Sequence, residues 1–252
     1  MYKLIVQFIL IFLFVLPAAS YATTDQLNAN QLVKEADKYR QSSDEAKVST
    51  VIKLYKDNVL DRERTYDVYL QPGRKSLVIS QSPSEKGQKV LMIKDNFWLL
   101  LPKTKRPIRI TPMQKLLGEA STGDVATMSW HGDYHAEFLA EHERSDGENI
   151  ELRLTAKTKG VTYKRINLSL TPKTSFPVKA ELYLASGKLA KIAHFVLEDG
   201  GSEIRVRKMI LKDRINKNQH TEIEYLENQP YSLANKYYNP SYLAKNPTMT
   251  IR

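Results

Sequence analysis

Two periodicities divide this chain. Over residues 24–43 apolar positions return at short, helical steps: Leu27, Leu32, Val33, Ala36 and Tyr39. That spacing lays a single apolar stripe along a helix. Thr24 or Asp25 is placed to cap its orphan N–H groups. From Val48 the period becomes two. Thr50, Ile52 and Leu54 alternate with Val51, Lys53 and Tyr55, a strand pattern. Asp57-Asn58 turns the chain and residues 59–70 run back. Gln71-Pro72-Gly73-Arg74 is a second turn, with Pro presetting φ and Gly supplying a positive φ. Residues 77–80, 90–93 and 97–101 follow as strands of a meander, most simply paired as neighbours.

The alternation breaks at Thr111-Pro112. Pro112 suits the first turn of a helix. Met113, Leu116 and Leu117 give that helix an apolar side, and Gly118 is a natural stop. Ser121-Thr122-Gly123-Asp124 offers a second helix start, with Val125, Met128 and Trp130 on one face. Strands resume over 136–142, 150–157, 161–170, 178–184, 189–197, 204–213 and 221–227. Residues 231–242 are aromatic and polar and end in a short helix. The count is about a dozen strands and two or three helices. Strands and helices do not alternate, which argues against a parallel sheet. The fold expected is mainly β: one antiparallel sheet that curls to manage its edges, with helices over one face. An apolar cavity between sheet and helices is then the usual place for a ligand.

Residues 1–22 read separately. Lys3 gives a short positive start, residues 4–16 are apolar apart from Gln7, and Ser20-Tyr21-Ala22 fits the small-x-small cleavage rule. The apolar run is shorter than the roughly 20 residues a spanning helix needs. The expectation is an exported, periplasmic protein cleaved after Ala22, with one domain over 23–252. The chain has no cysteine, so disulfides, thiolate metal sites and a lipidated cysteine are excluded. Its net charge of +10 favours anionic partners. The basic residues are spread along strands without stacking aromatics between them, so nucleic acid is not expected.

Catalytic signatures are absent. There is no G-x-S-x-G and no phosphate loop. His131, Asp133 and His135 would share one side of a strand, a metal-like spacing. No fourth ligand accompanies them, and no metal or other cofactor is expected. Asp61/Glu63 and Glu222/Glu224 read as polar sheet faces rather than catalytic pairs. In residues 97–101 both faces are apolar, so this strand is expected to be covered on both sides.

The order FWLLLPK, a basic Pro-containing turn, RITP, QKLLGEAS, GDVA, then Trp130 and Gly132-Asp133-Tyr134 resembles the LolA-like outer-membrane lipoprotein-sorting proteins. This is a broad periplasmic group often associated with RND-type exporters. The resemblance extends through Pro177-Val178-Lys179-Ala180-Glu181-Leu182-Tyr183 and Lys208-Met209-Ile210-Leu211-Lys212-Asp213, so it covers nearly the whole chain after residue 22. It implies a half-barrel, LolA/LolB-like, with a few lid helices, and no enzyme. It implies acyl chains of a lipoprotein or another lipid as cargo, passed towards an outer-membrane acceptor. On that reading Trp98, Leu100, Met113, Leu116, Leu117, Val125, Met128 and Trp130 contact lipid. Lys105, Arg106 and Arg109 meet headgroups or a partner such as an exporter. The family's inward, lid-latching arginine has Arg62 and Arg64 as candidates. The alternative is an accessory module of an RND-type exporter with no cargo of its own.

Overall fold

The computed structural model describes residues 28–41, 43–127, 129–139, 147–197, 204–213, 218–247 and 251. The export segment, the expected caps Thr24 and Asp25, Leu27 and Met128 lie outside the described residues. Helix α1 is Ala29–Lys38. Asn28 caps it, its Oδ1 accepting from Asn30 N at 2.9 Å. Leu32, Val33 and Ala36 are buried, as the stripe predicts.

A first meander follows: β1 (Ala46–Lys56), β2 (Val59–Gln71), β3 (Lys75–Ser80), β4 (Lys89–Ile93), β5 (Asn96–Leu100) and β6 (Ile108–Ile110). Asp57 and Asn58 both take positive φ, 49° and 62°, the geometry that suits a two-residue hairpin turn. Next come β7 (Lys115–Leu117), β8 (Ala120–Ser121) and helix α2 (Thr122–Ala126). A second meander comprises β9 (Tyr134–Phe138), β10 (Ile150–Ala156), β11 (Arg165–Leu170), β12 (Pro177–Tyr183), β13 (Leu189–Leu197), β14 (Val206–Asp213) and β15 (Gln219–Pro230). Helix α3 (Pro240–Lys245) closes the chain.

Thirteen strands form one open antiparallel sheet in the order β6-β5-β4-β3-β2-β1-β15-β14-β13-β12-β11-β10-β9. Within each meander sequence neighbours pair. The two meanders meet along a single seam, β1 against β15, running from Ala46↔Pro230 to Lys56↔Gln219. The free edges are therefore β6 and β9, and the segment 111–133 runs from one to the other. The sheet curls until its wings touch. Arg74, in the β2–β3 turn, ion-pairs with Asp133 just before β9 and donates from Nη1 to Thr158 Oγ1 at 3.0 Å. Gly160 N donates to Asp95 Oδ1 at 3.0 Å.

The two faces differ. One carries a continuous apolar core drawn from every long strand, including Ile52, Val68, Phe97, Leu152, Leu168, Leu211 and Ile223, and it is covered by α1, α2 and the segment around Trp130. A second core lies on the reverse of β2–β5, where Tyr69, Leu77, Leu91 and Leu100 pack under Leu233, Tyr238 and Leu243 of the C-terminal segment. Elsewhere the reverse face is polar. Lys53 Nζ meets Glu224 at 2.8 Å and Lys208 Nζ meets Glu222 at 2.7 Å, so these carboxylates are ion-paired across strands.

The expected helix after Pro112 is absent. Lys115–Leu117 pairs with Ala120–Ser121 as a two-stranded hairpin instead. Gly118 adopts φ +53°, and the following Glu119 N donates to Thr221 Oγ1 at 2.9 Å. A Cβ on Gly118 would lie 2.3 Å from that oxygen, so the glycine lets the hairpin press onto β15. Pro112 serves a turn, closed by Gln114 N donating to Thr111 O at 3.1 Å. The second helix start is observed, but α2 stops at Ala126, short of Trp130.

The wing-to-wing contact is tight at Gly160, where a Cβ would fall 2.3 Å from Asp95 Cα. Gly160→Ala should cost about 2 kcal/mol of stability by overpacking, read as a lower urea midpoint. Gly132→Ala, which meets nothing within 4 Å, should be close to neutral. Equal midpoints for the two variants would show that the wings do not meet there.

Candidate functional site

The segment between the sheet edges lies on the main apolar face, yet it is held there by buried charges. Asp37, on α1, stands one turn after Val33, and Arg40 lies just past the helix end; both are buried. The Asp37 carboxylate accepts from the backbone N–H groups of Trp130 (2.9 Å) and His131 (2.7 Å) and from Ser129 Oγ (2.8 Å). Arg40 lies 3.9 Å from Asp37, and its guanidinium stacks 3.9 Å over the Trp130 ring. Trp130 in turn meets Phe195 edge-on at 5.6 Å. Burial pushes the Asp37 carboxyl up, more than Arg40 and the three donors pull it down.

A second anchor holds α2. Asp124 Oδ2 accepts from Lys191 Nζ (2.8 Å), Ser121 N (2.8 Å) and Ser121 Oγ (2.7 Å), and Oδ1 accepts from Tyr163 OH (2.8 Å). Lys191 also donates to Glu119 O, at the tip of the β7–β8 hairpin. Both charged side chains are almost fully buried. Burial alone would raise the Asp124 carboxyl. The Lys191 ammonium and the Ser121 donors outweigh it and hold the group below the usual carboxylate range. Burial also pushes the Tyr163 phenol well above its ordinary value, so it remains a donor.

Between these anchors lies a cavity of about 40 Å³, lined by Arg40, Thr127, Trp130, Tyr134, Phe195 and Met209 among others. A shallower pocket of about 250 Å³ lies outside it, between the β2–β3 turn and residues 126–133, and Thr127 borders both. The inner cavity is far below the roughly 300 Å³ at which ligand pockets begin. Trp130 is one of the buried side chains that fill the interior beside it.

Of the residues expected at a lipid surface, Leu117, Val125 and Trp130 are buried together in the main core, with Leu116 partly buried against it. Trp98 and Leu100 belong to the opposite face, under the C-terminal segment, because on β5 it is Phe97 and Leu99 that face the main core. The strand is thus covered on both sides, as expected. Met113 sits in an exposed turn, and Met128 lies outside the described residues. Lys105 and Arg106 are exposed in the β5–β6 loop. Arg109 lies 4.7 Å over the Trp98 ring and donates to Asn96 Oδ1 at 2.6 Å.

Neither candidate for an inward arginine, Arg62 or Arg64, is buried. Arg62 is exposed, and Arg64 pairs with Glu85 at 3.3 Å; both lie on β2, away from Trp130. The arginine buried beside Trp130 is Arg40. His131 and Asp133 are in the turn preceding β9, so the one-sided strand spacing does not form: Asp133 is buried against Arg74, while His131 and His135 are exposed. No group of three metal-ligating side chains occurs among the described residues. Asp37, Arg40, Tyr163 and Lys191 were not singled out from sequence. For Asp37 and Lys191 the signal is phase, a polar residue at a buried position of a helix or strand period; Arg40 and Tyr163 lie just outside α1 and β11.

A family model described as "-like: Uncharacterized protein" matches residues 72–245. No curated protein sequence matches. Among solved structures, a LolA superfamily protein from Nitrosomonas europaea is 27% identical, covering 86% of this chain and 100% of that one, with a TM-score of 0.77. A DUF1329 family protein from Desulfovibrio piger is 19% identical, over 85% and 97% of the two chains, with a TM-score of 0.65. A domain described as outer membrane lipoprotein-sorting, from Vibrio parahaemolyticus, is 19% identical over 86% and 98%, with a TM-score of 0.64. The last two likenesses show the fold.

The two buried carboxylates should titrate with opposite sign. Asp124 has a depressed folded pKa, so its contribution is present above the ordinary value of 3.8 and is lost as pH falls through the folded pKa. Asp37 has a raised folded pKa, so stability declines as pH rises from 3.8 through that higher value. Urea midpoints across acid pH should show Asp124→Asn flattening the rise below 3.8 and Asp37→Asn flattening the decline above it. The same slope change in both variants would contradict these environments.

Proposed function

The chain belongs to the LolA-like family of outer-membrane lipoprotein-sorting proteins, and from that premise we propose that it is a periplasmic carrier for the acyl chains of a lipoprotein or another lipid. The observation that carries this reading is the edge-to-edge segment. It lies over the largest apolar face of the molecule and is fastened by two discrete polar anchors, Asp37 and Asp124. A lid of that kind opens by breaking a few hydrogen bonds and exposes a ready apolar surface. Each buried methylene contributes about 0.8 kcal/mol, so a handful of acyl carbons taking Trp130's place offsets the opening. The role needs no chemistry at the bound lipid, and the reading is non-catalytic. Delivery towards the outer membrane and contact with an exporter belong to the same proposal. Among the described residues no helix is long and apolar enough to cross a membrane.

The inner cavity of about 40 Å³ also favours a second reading, an exporter accessory module whose interior stays filled. Two measurements separate them. Protein purified from the periplasm and extracted with organic solvent should yield a stoichiometric lipid or acylated peptide by mass spectrometry. The chain has no native cysteine, so a pair introduced at Thr127 and Met92, which touch at 3.7 Å, can be joined by a short thiol crosslinker. Joining should abolish loading of added lipid, and the unjoined pair should load normally. Equal loading in both, or an empty extract that stays empty on adding lipid back, would favour the module over the carrier.

A further inference from the structure

The two edges of the sheet are finished differently. At β9, helix α1 packs alongside and Asn30 Oδ1 accepts from the edge N–H of Ala136 at 2.9 Å. At β6 no element of the described residues pairs with the outer edge. The chain around β6 also carries a one-sided charge. Between Asp95 and Glu119 there is no acidic residue and there are five cations: Lys103, Lys105, Arg106, Arg109 and Lys115. Lys115 is neutralised by Glu119 at 2.7 Å and Arg109 is engaged with Trp98 and Asn96. Lys103, Lys105 and Arg106 are exposed and have no carboxylate partner among the described residues. The same segment exposes Ile108 (43%) and Met113 (36%). Its base is fixed, with Thr104 N donating to Leu101 O at 3.0 Å and Leu100 packed in the second core with Leu243.

Unpaired cations beside exposed apolar side chains, presented on a fixed loop, are the composition of a bilayer-surface contact. A protein adding a strand to β6 is the weaker fit. The strand is three residues long and is flanked by Pro107 and Pro112, both of which blunt an edge against pairing. We propose that residues 101–115 form a docking surface for an anionic lipid bilayer, with Lys103, Lys105 and Arg106 at the headgroups and Ile108 and Met113 entering the interface. The inference deepens the carrier reading and rests on it for its biological sense, since a carrier must meet the bilayers it serves.

The test is flotation of the periplasmic protein with phosphatidylcholine vesicles, with or without phosphatidylglycerol. Binding should require phosphatidylglycerol and fall as salt is raised. Replacing Lys103, Lys105 and Arg106 together by Gln should weaken it about a hundredfold. A control replacing Lys34, Lys173 and Lys188 by Gln has the same net charge and should bind as the parent does. Ile108→Ser should weaken binding several-fold without changing its salt dependence. Equal loss in the control would reduce the effect to net charge and overturn the proposal. So would binding to neutral vesicles, or no vesicle binding alongside retention on an acidic protein. Lipid loading is measured in parallel. A loading-competent triple-Gln variant that no longer floats supports docking as a step separate from cargo binding. A parent that floats but never loads cargo leaves the docking surface standing and sinks the carrier reading instead.

Discussion

The pairing of β1 with β15 sets everything else in place. It joins two meanders that each run outward from the seam, so the outermost strands are β6 and β9. Those strands follow one another in the chain, apart from the 111–133 segment. That segment has no choice but to travel from one edge of the sheet to the other. Because the sheet curls until Arg74 reaches Asp133, the path runs across the enclosed apolar face. A segment joining the two edges is thus a necessity of this strand order, and here it covers the apolar face. What the sequence can vary is how firmly that segment is held.

The holding is polar where an ordinary core would be apolar. A buried ion pair contributes little net stability compared with well-packed hydrophobic side chains, because desolvation cancels much of the attraction. Asp124 with Lys191, and Asp37 with Arg40, are therefore a poor way to gain stability but an effective way to fix position. Each accepts or donates to groups at one register only: Asp37 to the Trp130 and His131 amides, Asp124 to Ser121. Apolar packing would tolerate sliding; these bonds do not. They place Trp130 between Arg40 and Phe195.

Much of the sheet was legible in the alternation of side chains. The bounds of β13 fall where the pattern puts them, and Ser121-Thr122-Gly123-Asp124 does begin a helix. The stretch 111–117 misled because Pro112 and Gly118 mark a turn as readily as a helix start and stop. Only a partner far along the chain, Thr221, decides between them. The seam itself could not be read, because neighbour pairing says nothing about strands separated by residues 57–218. Trp98 and Leu100 share one face of β5, and alternation alone does not say which face meets the main core. Asp37 and Lys191 were overlooked as charges. A charge inside an apolar period is buried with its neighbours here.

The seam also orders the folding of the molecule in time. In a chain that emerges N-terminus first, β1 appears long before its partner β15. Contacts of such long sequence separation form slowly. Until they form, β1 has a vacant hydrogen-bonding edge 11 residues long. Long unpaired edges recruit other chains. Each wing can assemble from its own hairpins, but the enclosed interior exists only after the final strand arrives. The vulnerable species is thus a chain that still lacks β15, and that strand decides whether it folds or aggregates.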